Sequence, residues 1–168
     1  MLVRGARQIG KTYIIDLFGR TEYENYVYIN FEENPSYKDI FSGDLDVNTL
    51  TAEISLRVKD AHLVSGKTLI FLDEIQSCPQ ARTALKFFSM DKRYDVIASG
   101  SLLGLNYKDV SSYPVGYVQE EKMHSMDFEE FLWALGISPE TVSYIRSFYE
   151  NAKKIPDSAN KKMMEYLR

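Results

Sequence analysis

The chain has little of what builds disulfide or metal scaffolds. Among 168 residues there is one cysteine, Cys78, and there are two histidines, His62 and His124. One cysteine excludes an intramolecular disulfide and a cysteine metal cluster; Cys78 reads as a small packed residue before Pro79. The two histidines stand apart in sequence and read as structural or solvated groups rather than metal ligands. No apolar run reaches the ~20 residues of a membrane span. Nothing ahead of the first apolar segment has the layout of a secretory signal. A cytoplasmic, reducing setting without a membrane partner is the expectation. A basic excess is also missing: 20 Lys and Arg face 24 Asp and Glu, a net charge of −4, so no overall field attracts nucleic acid. Lys153-Lys154 and Lys161-Lys162 form a local basic patch that keeps nucleic-acid contact open.

What is present is an ordinary globular mixture, long enough for one domain with a sizeable core. Its most informative stretch is Gly5-Ala6-Arg7-Gln8-Ile9-Gly10-Lys11-Thr12. This is a complete G-x-x-x-x-G-K-S/T loop, which cradles the phosphates of a nucleoside triphosphate. Gly5 and Gly10 are expected to supply backbone angles closed to other residues, so that N–H groups turn inward around a phosphate. Lys11, expected to stand exposed without core packing, supplies a point charge for the β- and γ-phosphates. Thr12 offers its hydroxyl to Mg²⁺, and the following helix points its positive end at the same anion. The context fits, since Met1-Leu2-Val3-Arg4 reads as a strand end. Residues 11–19 place Tyr13, Ile14, Leu17 and Phe18 on one helical face.

A second motif follows at Thr68-Leu69-Ile70-Phe71-Leu72-Asp73-Glu74. Its apolar residues do not alternate with polar ones, as expected of a parallel strand buried on both faces. Two carboxylates then stand at its C-terminal end, where ligands of open α/β sheets bind. Asp73 is placed on Mg²⁺ as a Walker-B aspartate. Glu74 is placed as the group that orients or deprotonates the attacking water. The plainer reading of this pair is an acidic helix start.

The remaining pattern predicts strands at 26–31, 94–98 and 115–123, the last with a polar face. Helices are predicted at 37–41, from an Asn48 or Thr49 cap to His62, at 80–90, at 128–135 behind Ser125 or Asp127, at 139–152, and at 158–167. Strands alternating with helices imply right-handed βαβ units and a parallel sheet covered on both faces.

With these strings in view, the chain resembles a family of bacterial and archaeal AAA-type ATPases. Their ATPase domain is usually followed by a restriction-endonuclease-like C-terminal domain. The strings are LVRGARQIGKT, YINFEENP, LIFLDEIQSCPQA, VIASGSLLG and MDFEEFLWALG. The resemblance implies an α/β fold: a P-loop NTPase αβα sandwich of AAA type, with about five mostly parallel strands. In it the Walker-B strand is not adjacent to the Walker-A strand. It further implies that residues 1–136 form the ATPase core and 137–168 a helical segment beginning a lid or linker. Ser99 falls at the sensor-1 position, where its hydroxyl would hold the water or a γ-phosphate oxygen; otherwise Ser99 or Ser101 caps a helix. Asn30 falls where a polar residue pairs with the Walker-B glutamate; otherwise it bonds a loop backbone. No sensor-2 arginine can be placed, and Tyr117 stands where relatives often carry a basic residue. The chain begins almost on the phosphate loop, which reads as a fragment.

The expected activity is ATP binding and slow Mg²⁺-dependent hydrolysis, coupled to conformational change in a larger protein, with a protein partner or further copies of the chain. The alternatives are a nucleotide-binding interaction module without turnover and a P-loop kinase acting on a small acceptor.

Overall fold

Thr68–Asp73 (β3) is buried at all six positions, and its neighbours explain why. In the computed structural model, which describes residues 1–101 and 116–166, five parallel strands form one sheet in the order β2-β3-β4-β1-β5. The others are Leu2–Gly5 (β1), Asn25–Asn30 (β2), Asp95–Ser101 (β4) and Glu120–Lys122 (β5). Successive side chains of β3 point to opposite faces. Leu69 and Phe71 pack with Val3, Ile15 and Ile97 on one side. Ile70 and Leu72 pack with Val27, Ile29 and Ala98 on the other. Both faces are covered, so the run needs no polar positions. β4 lies between β1 and β3, so the loop-bearing and acid-bearing strands are not adjacent.

Lys11–Glu22 (α1) covers the first face, and Val47–Arg57 (α2) and Pro79–Asp91 (α3) the second. Short 3-10 turns occupy Pro35–Phe41 and Ile75–Ser77. The cap of α2 differs from expectation. The Asp46 carboxylate, not Asn48 or Thr49, accepts the first free N–H groups, those of Asn48 and Thr49, each at 3.1 Å. The helix ends at Arg57 rather than His62, because Val58 turns to extended backbone and enters the core. β4 runs three residues beyond the predicted end, which excludes a helix cap at Ser99. β5 is only the last part of the predicted fifth strand, tied to β1 by an Arg4–Glu120 ion pair. Val115 and the Leu-rich stretch after Ser101 lie outside the described residues.

The chain forms two compact units, Met1–His124 and Ser125–Arg168. Phe128–Ala134 (α4) opens the second unit. α4 opens on a reciprocal capping box between Asp127 and Glu130. It packs with Pro139–Glu150 (α5), whose residue Arg146 pairs with Glu129, and Asp157–Tyr166 (α6) follows. The single described helices of this unit match the predicted ones to within two residues, and Asp127 rather than Ser125 is the cap of α4.

The phase of α1 is the main surprise. Its inward residues are Lys11, Ile15 and Gly19. Tyr13, Ile14, Leu17 and Phe18 face outward, Tyr13 at 73% exposure. Lys11 and Thr12 must meet the loop and β3, so the site sets the rotation of the helix and overrides the apolar stripe. Gly19 permits the resulting close approach. A Cβ there would lie 2.4 Å from the Tyr26 ring and 3.1 Å from Leu69. In an open helix, Gly→Ala gains about 1 kcal/mol. Here overpacking costs about 1–3 kcal/mol, so Gly19→Ala is expected to lower stability in urea denaturation. A variant more stable than the parent would contradict this packing.

Candidate nucleotide-binding site

The site lies at the carboxyl ends of β1, β3 and β4, where open α/β sheets place ligands. β1 stops at Gly5, and residues 6–10 turn the chain into α1. Gly5 is needed for space rather than for an unusual φ: a Cβ would come within 2.5 Å of the Met123 carbonyl oxygen and of Ile9 Cδ1. The left-handed positions are Gly10 (φ 92°) and Gln8 (φ 62°). Gln8 bears a side chain where such angles are costly, and strain of this kind concentrates at functional loops. Gly10 opens α1 with no side-chain cap, and the first turn has no acidic residue. The N–H groups there are free to bind an anion, supported by the helix dipole.

Lys11 is not exposed as expected. It retains 7% of its surface, and Nζ donates to the carbonyls of Gly5 at 3.2 Å and Ala6 at 2.6 Å. The ammonium thus ties the two ends of the loop. It lines a cavity of about 480 Å³ together with Arg7, Gln8, Gly10, Thr12 and Glu74. Tyr13 and Glu32 also line it among the described residues, neither foreseen from sequence.

Asp73 joins the loop to the sheet. It is 1% exposed and accepts four hydrogen bonds. Thr12 Oγ1 reaches Oδ2 at 2.9 Å, and the Tyr28 hydroxyl reaches the same oxygen at 3.0 Å. The Glu74 N–H reaches Oδ1 at 3.0 Å, and Ser99 Oγ donates to it as well. A buried carboxylate is stable only when satisfied in this way.

Two of the predicted site residues are placed differently. Ser99 is fully buried and donates to Asp73, so it orders the carboxylate and does not line the cavity. Asn30 does not reach Glu74. Its Oδ1 accepts from the N–H groups of Glu32 at 2.9 Å and Glu33 at 3.0 Å, and its Nδ2 donates to the Tyr28 hydroxyl at 3.0 Å. It closes the turn after β2, the backbone role that was the alternative.

Tyr28 was missed. Burial pushes its phenol pKa up, and the charge of Asp73 adds to the rise, so it remains a donor at any working pH. The signal was available: alternation along β2 places Tyr28 and Asn30 on one face, two residues apart.

The model of the AAA domain family matches residues 1–132, taking in all five strands. The chain belongs to that family. As an AAA domain it is of the nucleotide-binding, ATPase type. No curated protein matches the sequence. Two solved structures show a distant likeness. A closed-state cryoEM reconstruction of Hsp104 with ATPγS and FITC casein is 15% identical with a TM-score of 0.49, covering 95% of this chain and 32% of that one. C. elegans PCH-2 is 13% identical with a TM-score of 0.44, covering 88% and 39%. This AAA domain thus spans 32% and 39% of the length of these two chains.

The donors present suit Mg²⁺. It prefers hard oxygens and is usually held by one or two carboxylates plus phosphates and waters. Thr12 Oγ1 and the Asp73 carboxylate, 2.9 Å apart, provide that partial set. Among the described residues no cluster forms an all-protein metal cage.

Tyr28→Phe keeps the ring against Phe71, 5.3 Å between centroids, but removes one donor from Asp73. A net loss of ~1 kcal/mol is expected in chemical denaturation. A variant as stable as the parent would show that the Tyr28 bond contributes nothing to holding the carboxylate.

Proposed function

We propose that this AAA domain binds Mg-ATP in the loop cavity and hydrolyses it slowly, driving conformational change in a larger protein. The observation that carries this reading is the Thr12–Asp73 bond, which joins the phosphate loop to the acidic strand end with Glu74 in the same cavity. Residues 5–12 would hold the triphosphate through loop N–H groups and the start of α1, with Lys11 exchanging carbonyl contacts for phosphate oxygens. Thr12 and Asp73 would hold Mg²⁺, which supplies charge neutralisation on the β- and γ-phosphates. Glu74 would take the proton of a water attacking the γ-phosphorus in line as the bond to the bridging oxygen breaks, giving ADP and phosphate.

Slow turnover follows from the cations at hand. Arg7 and Lys11 line the cavity, and both come from the loop itself. No arginine from another element is among the lining residues described. An arginine supplied in trans is worth about 10³ to 10⁵ in rate in other P-loop enzymes. The proposal therefore includes a second chain, a protein partner or another copy, that completes the site. The chain alone is expected to turn over far below the usual median of about 10 per second.

Three substitutions test the roles. Lys11→Ala should abolish Mg-ATP binding in calorimetry. Because Lys11 also bridges Gly5 and Ala6, a modest fall in melting temperature should accompany it. Glu74→Gln should keep binding and reduce phosphate release by about 10² to 10⁴. Asp73→Asn should weaken the Mg²⁺ dependence of binding and also destabilise the fold, since the amide puts a donor nitrogen where Asp73 accepts hydrogen bonds on both oxygens. A folded Lys11→Ala variant with parental affinity would sink the loop assignment.

A further inference from the structure

We infer that Gln76 is the positioning residue for Glu74. The inference rests on the hydrolytic role given to Glu74 above. Glu74 sits at φ 53°, ψ 47°, a left-handed conformation that L side chains adopt reluctantly. It is held there from both sides. Its own N–H donates to Asp73. Its carbonyl accepts from the Ser77 N–H at 2.9 Å, and the Cys78 N–H closes onto Ile75 at 3.0 Å. Ile75 and Cys78 are buried, so the short turn is pinned to the core. The turn places Gln76 two residues beyond Glu74, where Gln76 Nε2 donates to Glu74 Oε2.

This is the one donor to the Glu74 side chain among the described residues. The orientation of the amide follows from charge, because its carbonyl oxygen facing a carboxylate would repel. The other end of the amide is unusual. Gln76 Oε1 is buried and accepts from no donor among the described residues. Leaving a buried acceptor unmet costs free energy, so packing stability alone does not favour this arrangement. Orienting the carboxylate does account for it. With Oε2 held, Oε1 of Glu74 is the oxygen left to take a proton. Asn30, the residue the resemblance assigned to pair with Glu74, has both ends of its amide engaged elsewhere. The control of Glu74 is thus local, from within its own turn, rather than across the strands from β2.

The test uses Gln76→Ala in the full 168-residue chain, with ATP hydrolysis followed in single turnover and nucleotide affinity by calorimetry. The catalytic rate should fall by about 10-fold to 100-fold, the range that small misplacement of a reacting group produces. The ATP affinity and KM should stay within ~2-fold of the parent, since no binding group is lost. In a Glu74→Gln background, adding Gln76→Ala should slow nothing further, because the pair acts as a unit. A readout without turnover is the Gln76 side-chain amide in ¹H–¹⁵N spectra of the nucleotide-free protein. Its proton should lie downfield and move upfield in Glu74→Gln. A Gln76→Ala variant at or above the parental rate, a loss that adds to that of Glu74→Gln, or an amide signal indifferent to Glu74 would each overturn the inference. Turnover that requires Glu74 but ignores Gln76 would leave the hydrolytic reading intact. Turnover indifferent to Glu74→Gln would instead defeat that reading, and the inference with it.

Discussion

The carboxylate of Asp73 is the point on which the site depends. It is buried at the end of the sheet's most enclosed strand, where an unsatisfied charge would be very costly. Four donors from four parts of the chain satisfy it: Thr12 from α1, Tyr28 from β2, the Glu74 backbone, and Ser99 from β4. Each donor fixes its own element relative to the others. The Gly5–Thr12 loop is thereby clamped to the sheet at Thr12, and the turn carrying Glu74 is fixed at its first N–H. The same requirement sets the rotation of α1, which turns Lys11, Ile15 and Gly19 inward and leaves four large apolar side chains outside.

Much of this was legible in the sequence because its signals are local and steric. The run Leu69–Leu72 lacks alternation because both its faces are covered, and the chain reads as a buried parallel strand for that reason. The glycines of the Gly5–Thr12 loop marked the turn from β1 into α1, and alternation of strands with helices identified the sandwich. The family match, residues 1–132, takes in both the Gly5–Thr12 loop and the Thr68–Glu74 stretch. The separation of β1 from β3 by β4 came from the resemblance, and the observed strand order agrees with it.

The misreadings came where tertiary demands outweigh local pattern. The apolar stripe of α1 pointed to the wrong face, because a periodicity argument cannot see that Thr12 must reach Asp73. Gly5 was read as a conformational glycine, yet what it avoids is the Met123 carbonyl, more than a hundred residues away in sequence. Asn30 and Ser99 were assigned to the reacting end of the site by analogy of position. Their partners are the turn after β2 and Asp73, choices set by side-chain reach that a sequence position does not reveal. Lys11 was read as exposed because free loop carbonyls are invisible in a sequence.

The most direct test of the central claim, that the phosphate loop and the acidic strand end form one Mg-nucleotide site, is a double-mutant cycle on Mg-ATP affinity. Calorimetry on the parent, Thr12→Val, Asp73→Asn and the double variant, with and without Mg²⁺, provides it. Each single variant is expected to lose the Mg²⁺-dependent part of the affinity, and the double variant to lose no more than either. Additive losses, or a single variant whose Mg²⁺ dependence matches the parent, would contradict it.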